Sequence, residues 1–187
     1  MATMDLHAEE LLPLKENTDP ESGRIIESIL RSTRPQKFLE IGSCRGDGAE
    51  VWIKTLSEWG GKYIGIESSQ GNLQILLEKV SKYDNATIIP GHSQERVIFD
   101  QAKAHAPFDF IYVDGSHEVP MAMIDIEMYS ELLIKDGIMA VHDALDFEFP
   151  TKLFPLQKVF NNYILIPTFR HPARYGVALL QQKKEEE

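Results

Sequence analysis

Short apolar runs alternate with longer amphipathic runs along most of the chain. The short runs are rich in β-branched and aromatic residues and predict strands, whereas the longer runs carry apolar positions at helical spacing. Five such pairs follow one another: KFLEIG with DGAEVWIKTLSEW, KYIGIE with GNLQILLEKVSKY, ATIIPG with SQERVIFDQAKAH, FDFIYVDG with MAMIDIEMYSELLIKDG, and IMAVHD with a less regular helical segment over 151–161. Continuous apolar strands are typical of a parallel sheet covered by helices on both faces. The pattern therefore predicts an α/β, doubly wound, Rossmann-like fold.

The two ends of the chain add one helix and two strands. Asp19 followed by Pro20 predicts an N-cap and a first helical residue, and Pro35 marks where that helix must stop. Near the other end, YILIP and YGVALLQQ are strand-like runs separated by TFRHPAR, a loop too short for a helical crossover. We therefore expect an antiparallel pair there. The sheet is predicted to be seven-stranded and mostly parallel, with an antiparallel C-terminal strand.

The length of the chain favours a single domain over residues 1–187. A chain of 187 residues with 43% hydrophobic content forms one sizeable core and is short for two. Within this domain, residues 1–18 form an N-terminal segment that is a candidate lid, and residues 182–187 form a solvated tail.

Charge and cysteine content exclude several classes of partner. The formal net charge is -10, from 29 acidic and 19 basic residues, with no basic cluster suited to tracking phosphates. We therefore expect neither nucleic acid nor membrane as a partner. The longest apolar runs fall well short of the ~20 residues that cross a bilayer, and the N-terminus has no basic or hydrophobic leader. Cys44 is the single cysteine, which indicates a reducing, cytoplasmic setting.

The stretch FLEIGSCRGDG places a carboxylate and glycines at the end of the first strand. A strand that ends at Ile41 and turns through Gly42 and Gly46 into a helix leaves backbone N–H groups at the crevice beyond its carboxyl end. Glu40 needs a partner at the end of a buried strand, and a cationic or hydrogen-bond-donating ligand is one source. The segment lacks the G-x-G-x-x-G pattern of dinucleotide sites, which argues against a pyrophosphate ligand.

This segment resembles motif I of class I S-adenosylmethionine-dependent methyltransferases, an acidic residue followed by x-Gly-x-Gly-x-Gly. Glu40, Gly42 and Gly46 match the motif, and Cys44 stands at its middle glycine. The second strand ends at Glu67, about where such enzymes bind both ribose hydroxyls. The third strand is followed by GHS, similar to the G-D-S turn that lies against adenine in relatives. The run from FDFIYVDGSHE to AVHDAL resembles the small-molecule O-methyltransferase branch, with D-G-x-H after strand four and H-D after strand five.

The resemblance implies S-adenosylmethionine as cofactor and transfer of its methyl group, most simply to an oxygen of a small molecule. The cofactor contacts implied are Glu40, Gly42, Ser43, Cys44, Gly46, Glu67, Ser68, Gly91, His92, Ser93, Asp114, Gly115 and His117. Plainer interpretations stay open for several of these residues. Glu67 is also suited to capping the following helix, His92 to completing a turn, and Cys44 to filling a small buried space rather than reacting.

Asp114 and Asp143 end the fourth and fifth strands, so both should project toward one crevice. Two converging carboxylates repel each other unless a cation or a proton lies between them. In related catechol-type and sugar O-methyltransferases, aspartates in these places hold Mg²⁺, and the resemblance implies the same metal site here. The alternative is that Asp114 caps a turn and Asp143 binds backbone amides.

His117 and His142 are the candidate bases beside these carboxylates. A histidine with a pKa of about 6.5 suits removal of a proton from a hydroxyl acceptor near neutrality. We favour His117 as the catalytic base, with Asp114 and His142 as the other candidate catalytic residues. His142 is also suited to binding a metal or to packing. Asp125 and Glu127 lie within a predicted helix and are expected to be solvated or structurally paired.

The methyl acceptor itself is not identified by the sequence. Candidate coverings are the N-terminal segment, the stretch ALDFEFPTKLFP and the loop PTFRHPAR, whose aromatic and basic side chains are Phe147, Phe149, Phe154, Phe169, Arg170, His171 and Arg174. Small enzymes of this branch are often dimers, so the resemblance leaves a homodimer open. Two other functions also stay open: an NAD(P)-binding oxidoreductase, which predicts a parallel final strand, and a non-catalytic nucleoside-binding module of the same fold.

Overall fold

The computed structural model describes residues 20–144, 160–167 and 176–182. Five helices and seven strands occur there, in the order α1 (Pro20–Thr33), β1 (Lys37–Ile41), α2 (Asp47–Ser57), β2 (Lys62–Glu67), α3 (Gln70–Val80), β3 (Ala86–Pro90), α4 (Arg96–Lys103), β4 (Phe108–Val113), α5 (Val119–Ser130), β5 (Leu133–Val141), β6 (Phe160–Pro167) and β7 (Gly176–Gln182). Helix α1 begins at the predicted proline. The predicted lid over 1–18 lies outside the described residues, and so do the acceptor-covering segments apart from Ala144 and Pro167. Gln182, the first residue of the predicted tail, belongs to β7 because it pairs with Phe160 of β6.

The strands form one seven-stranded sheet in the order β3-β2-β1-β4-β5-β7-β6. Strands β1 to β5 pair in parallel, and β7 runs antiparallel to both of its neighbours, β5 and β6. The predicted fold class is therefore confirmed, including the antiparallel C-terminal strand and the pairing of the last two runs. A parallel final strand, which the oxidoreductase alternative predicts, is not the arrangement of β7.

Helices cover both faces because alternate residues of each central strand are buried on opposite sides. In β1, Phe38 packs with the buried faces of α1, α2 and α3, whereas Leu39 and Ile41 pack with α4 and α5. Both faces are apolar, which explains why the strands read as continuous apolar runs. The same alternation directs Glu40 toward the α2 side of the sheet, into a buried position.

The boundary between α5 and β5 differs from the prediction. The run MAMIDIEMYSELLIKDG reads as one helix, but α5 ends at Ser130 and β5 already begins at Leu133. Leu133 pairs with Phe108 of β4, and the register then shifts before the regular pairing of Phe110 with Ile138. Asp136, with a φ of 66°, lies within this irregularity. Pairing with β4 outweighs local helix propensity here.

The predicted helical segment over 151–161 falls mostly outside the described residues. Its last two positions, 160 and 161, belong to β6 rather than to a helix. Pairing with β7 accounts for the difference, because the register joins Phe160 to Gln182 and continues to Pro167 and Gly176.

The strand order creates a crevice at the carboxyl edge of the sheet. Successive strands from β1 to β3 extend to one side, and β4 and β5 lie on the other side of β1. Ligands of doubly wound folds bind at such a reversal, outside the carboxyl ends of the strands. The segments following β1 to β5 therefore meet at this crevice. Within the described ranges, no helix combines the length and apolar character needed to cross a membrane.

Burial in the central strands predicts where substitutions are costly. Ile111 in β4 is fully buried, whereas Ile164 in the outermost strand is 62% exposed. We expect Ile111→Ala to lower the free energy of unfolding by about 2–5 kcal/mol, because it leaves a cavity between sheet and helices. The matched Ile164→Ala should change it by less than about 1 kcal/mol. Urea denaturation measures both values, and equal losses in the two variants would contradict the assigned core.

Candidate functional site

A cavity of about 640 Å³ lies along the carboxyl edge of the sheet. Its walls come from the segments after β1, β2, β3 and β4, together with the start of α5, and include Gly42, Cys44, Glu67, Ser68, Ser69, Asn72, Gly91, His92, Ser93, Gln94, Asp114, Gly115, Ser116, His117, Met121 and Asp125. A smaller cavity of about 160 Å³ adjoins it beneath the β1–α2 loop and includes Glu40, Ser43, Tyr112 and His142. The predicted cofactor residues thus line two neighbouring cavities, with the exception of Gly46. Gly46 lies against Leu76 of α3 instead, and its φ of 78° turns the chain into α2.

Gly42 allows the loop after β1 to lie against the segment after β4. Its φ is 92°, and a Cβ atom on this residue would lie 2.2 Å from the carbonyl oxygen of Asp114. No residue with a side chain fits this close approach without moving the backbone. The N–H groups of Gly42 and Ser43 donate to the Ile66 carbonyl at 2.9 and 3.1 Å, which ties the loop to β2. The glycine predicted from motif I therefore has a packing role as well.

Cys44 is exposed, in contrast to the expectation of a small buried filler. Its φ of 48° belongs to the left-handed region, and this backbone turn places the residue at the cavity wall rather than beneath it. Partial burial and the nearby charge of Glu67 raise the pKa of the thiol. A raised pKa keeps the thiol protonated, so the expectation of an unreactive cysteine agrees with the structure.

Glu67 ends β2 as a buried carboxylate at the cavity wall. Its two oxygens accept hydrogen bonds from the backbone N–H groups of Cys44 at 2.6 Å and Ser69 at 2.7 Å. These bonds hold the carboxylate between the loop after β1 and the start of α3. Glu67 can support the start of α3 and still bind a ligand. Each of its carboxylate oxygens has a second lone pair that can accept from a further donor.

Glu40 finds its partners inside the protein. Trp52 Nε1 donates to Oε1 at 3.0 Å, Tyr63 donates its hydroxyl proton to Oε2, and the Ser43 hydroxyl lies 2.8 Å from the Tyr63 hydroxyl. Burial raises the pKa of Glu40 from 4.5 to about 7, against the opposing effect of the Tyr63 and Trp52 hydrogen bonds. Glu40 therefore needs no ligand as a hydrogen-bond partner. Through Tyr63 it is linked to Ser43 and so supports the β1–α2 loop.

The turn after β3 is joined to α5 by a partly buried hydrogen bond. Gly91 has a φ of 144°, and a Cβ atom there would lie 2.4 Å from Ile98. His92 is exposed at the cavity wall. The Ser93 hydroxyl donates to Asp125 Oδ1 at 2.7 Å, and the Tyr129 hydroxyl donates to the Ser93 carbonyl at 2.8 Å. The expectation that Asp125 is structurally paired therefore agrees with the structure.

The segments after β4 and β5 bring two aspartates and two histidines together. His117 Nδ1 contacts Asp143 Oδ2, and the His117 side chain is 70% exposed. His142 Nδ1 lies 3.0 Å from Asp114 Oδ1 and 3.1 Å from Asp143 Oδ1. The predicted convergence of the two carboxylates is therefore present, with an imidazole nitrogen close to both. A proton on His142 would relieve their repulsion.

The residue types at this cluster suit a hard cation. Asp143 Oδ1 is buried without a hydrogen bond of acceptable geometry among the described residues, although His142 Nδ1 is close. A second carboxylate, that of Asp114, lies on the other side of His142. Two carboxylates are the kind of ligand that Mg²⁺ takes, with water completing its coordination. The described residues contain no group of three or more histidine, cysteine, aspartate or glutamate side chains arranged as a metal site.

Several wall residues were not anticipated from the sequence. They are Ser69, Asn72, Gln94, Ser116, Glu118 and Met121. Asp125, which was expected to be solvated or structurally paired, also lies in the cavity wall. Most are ordinary polar residues in loops and carry no sequence signal. Asp125 did carry one, because it and Glu127 are the two carboxylates that interrupt the apolar run MAMIDIEMY of α5. Such a residue is either exposed or paired inside, and only the packing of α5 distinguishes these two cases.

Comparison with known proteins gives a consistent result at the level of domain and fold. A family model described as a methyltransferase domain matches residues 39–144, more than half of the chain. The O-methyltransferase ankF of Aspergillus thermomutatus is 26% identical over 115 residues, which cover 60% of this chain and 47% of that protein. The chain thus spans about half the length of this curated relative.

Two solved structures illustrate the likeness in fold. An O-methyltransferase from Bacillus cereus, in complex with SAH, superposes with a TM-score of 0.69 at 16% identity over 92% of this chain and 84% of that one. TomG from Streptomyces achromogenes, involved in tomaymycin synthesis and in complex with SAM, gives a TM-score of 0.67 at 14% identity over 87% and 80%. At these identities the comparison concerns the fold alone.

The buried network around Glu40 predicts a pH-dependent stability. Because the folded state holds the Glu40 proton up to a pKa of about 7, stability is greatest below the unfolded pKa and is lost as the pH rises through 7. We expect the free energy of unfolding to fall by on the order of 2 kcal/mol more in the native protein than in Glu40→Gln between pH 5 and pH 8. Urea denaturation at intervals over this range measures the difference. Parallel pH profiles would contradict the assigned role of Glu40.

Proposed function

Because this chain belongs to the methyltransferase-domain family, we propose that it binds S-adenosylmethionine and transfers the methyl group to an oxygen of a small molecule. One observation carries the proposal. A buried carboxylate, that of Glu67, lies at the wall of the same cavity as the cluster containing Asp114 and His117. A ligand that uses a sugar diol at one side and a reactive group at the other fits this arrangement.

The strand order supports one orientation of the cofactor. Ribose hydroxyls that donate to Glu67 put the sugar at the end of β2. The groups able to assist methyl transfer lie after β4 and β5, on the far side of β1. The sulfonium end therefore extends toward Asp114, and the adenine extends toward the turn after β3, at 91–93. The backbone of the Gly42 loop passes between these two ends.

In the proposed reaction, the acceptor oxygen attacks the methyl carbon directly. The new O–CH₃ bond forms as the S–CH₃ bond breaks, and the electron pair of the broken bond stays on sulfur to give the thioether product. Most of the rate gain would come from holding the two reactants in line. The protein's further contribution is to accept the proton that the acceptor hydroxyl loses.

His117 is the residue best placed for that proton. Its Nδ1 contacts Asp143, so the carboxylate holds Nδ1 as a donor and leaves Nε2 as the basic nitrogen on an exposed ring. His142 contacts both Asp114 and Asp143 and is nearly covered, which suits a role in arranging the carboxylates. We therefore assign His117 as base, Asp143 as the residue that orients it, and His142 as a positioning residue.

A divalent metal is a further part of the proposal. Mg²⁺ would be held by Asp114 and Asp143, the two carboxylates whose oxygens converge beside His142, with water and the acceptor completing its coordination. When bound, it would lower the pKa of the acceptor hydroxyl. Two observations support this assignment: Asp143 Oδ1 lacks a well-formed hydrogen bond among the described residues, and both ligands are carboxylates.

Charge supports small molecules as the substrates. The net charge of -10 disfavours nucleic acid and anionic membrane surfaces, and we propose a cytoplasmic enzyme. A homodimer is the assembly we propose, by likeness to small enzymes of this branch. A nicotinamide enzyme is disfavoured by the loop after β1, which has Cys44 where a dinucleotide fingerprint has glycine. A non-catalytic nucleoside-binding module would need neither His117 nor Asp143.

Cofactor binding is tested by calorimetry with S-adenosylhomocysteine, the demethylated product. We expect binding to the native protein and at least a tenfold loss of affinity in Glu67→Gln, because an amide accepts fewer hydrogen bonds from the ribose hydroxyls. The control is Glu78→Gln, which removes an equal charge from an exposed position of α3. A thermal shift with NAD and none with either sulfur nucleoside would overturn the proposal; a ligand at 100 times its Kd stabilises by about 2.7 kcal/mol.

The role of His117 is tested by turnover at saturating S-adenosylmethionine with a panel of small phenols. We expect His117→Gln to lower kcat by about 10²–10⁴-fold while S-adenosylhomocysteine affinity changes by less than about threefold, because only the proton acceptor is lost. His105→Gln is the control, since His105 lies at the opposite edge of the sheet, before β4. Full activity of His117→Gln would favour the non-catalytic module or a base elsewhere.

The same assay separates the contribution of a metal to turnover from that of His117. Excess EDTA should lower turnover at least about tenfold, with recovery on adding Mg²⁺, if the metal lowers the pKa of the acceptor. Turnover unchanged by EDTA removes Mg²⁺ from the mechanism and leaves proton removal to His117 alone.

A further inference from the structure

Asp125 is a buried carboxylate in the cavity wall that the proposed reaction does not use. It lies on α5, is only 1% exposed, and lines the larger cavity beside Ser93 and Gln94. Burial raises the pKa of Asp125 above its usual value, and hydrogen bonds from Ser93 and Gln94 offset part of that rise. A charged group in such a place needs donors. The donor resolved most clearly is the Ser93 hydroxyl, at 2.7 Å from Oδ1.

This hydrogen bond determines how Ser93 meets a ligand. A serine hydroxyl has one proton to donate and two lone pairs. An ionised carboxylate only accepts, so the Ser93 proton is committed to Asp125 and the lone pairs of Oγ remain for other partners. Ser93 itself is half-buried and lines the cavity, so its Oγ lies at the cavity wall as an acceptor.

The position of Ser93 indicates which part of the cofactor it faces. With the ribose at Glu67 and the methyl group toward Asp114, the base lies at the β3 end of the crevice. Ser93 and Asp125 are the polar pair joining the turn after β3 to α5 at that end. The purine edge is therefore the part of the ligand within their reach. This step rests on the proposed function.

We propose that Asp125, acting through Ser93, selects a 6-aminopurine over a 6-oxopurine in the nucleoside cofactor. The 6-amino group of adenine donates hydrogen bonds and matches an acceptor-only Ser93. The 6-oxo group of hypoxanthine accepts, so it would face the Oγ lone pairs with no proton between them. A buried acceptor against another acceptor leaves both unsatisfied, which is the strongest means of rejecting an analogue. Asp125 is thus a positioning residue for cofactor specificity.

A purely structural role makes a different prediction. Asp125 also joins the turn after β3 to α5, and Tyr129 supports the same turn through the Ser93 carbonyl. Loss of that support would weaken binding of any nucleoside by a similar factor. If Asp125 no longer held the Ser93 proton, the ratio of the affinities for the two nucleosides would change instead. The affinity ratio therefore separates the two roles.

The experiment compares S-adenosylhomocysteine with S-inosylhomocysteine by calorimetry. The native protein should bind the adenine compound about 30-fold more tightly. In Asp125→Asn the amide N–H₂ group can donate to Ser93 Oγ, which releases the Ser93 proton to the ligand, so the ratio should fall below about fivefold. Ser93→Ala, which removes the acceptor itself, should lower the ratio in the same way if Asp125→Asn does not fold. Glu127→Gln, an exposed position on the same helix, should keep the native ratio.

Each outcome has one meaning. Equal binding of the two compounds by the native protein, or a native ratio in both Asp125→Asn and Ser93→Ala, overturns the inference while leaving the methyltransferase proposal intact. Binding of neither compound by the native protein overturns the proposed function first. A ratio lowered in these variants alone supports the assignment.

Discussion

The approach of the loop after β1 to the segment after β4 is the constraint on which the site depends. Gly42 lies so close to the backbone of Asp114 that no side chain fits between them. The Asp114 N–H donates to Ile41, and the N–H groups of Gly42 and Ser43 donate to Ile66. These bonds join three neighbouring strands at their carboxyl ends. Both the cavity and the acid–histidine cluster take their positions from this junction.

Buried carboxylates at the same edge have separate environments, and those environments determine what each can do. Glu40 is satisfied by Trp52 and Tyr63 and has no need of a ligand. Glu67 is held by backbone amides at the cavity wall, where it can still accept from a diol. Asp143 has one oxygen against a histidine and another that lacks a well-formed hydrogen bond among the described residues. Carboxylates at one edge of the sheet thus have a structural role in Glu40 and the proposed roles of ribose binding in Glu67 and of orienting His117 in Asp143.

The likeness to solved O-methyltransferases concerns the sheet and its helices, whereas the chemistry depends on individual side chains. The family match over 39–144 runs from within β1 to just past β5 and includes these side chains. Residues 145–159, between β5 and β6, and residues 168–175, between β6 and β7, lie outside the described residues, and they include most of the segments predicted to cover the acceptor. We therefore expect specificity for the acceptor to depend on parts of the chain other than those that support the cofactor proposal.

Periodicity alone predicted the sheet, because apolar runs separated by amphipathic helices have few ways to bury their faces. Motif I and the residues ending β2, β4 and β5 predicted the cavity wall, since parallel strands bring their carboxyl ends to one edge. Neither pattern could reveal that Glu40 is satisfied by Trp52 and Tyr63, that Cys44 is exposed, or that Asp125 reaches Ser93. The end of α5 was likewise misplaced, because pairing of Leu133 with Phe108 overrides local propensity. Those features depend on contacts between residues distant in the chain, and such contacts exist only once the sheet and helices have packed.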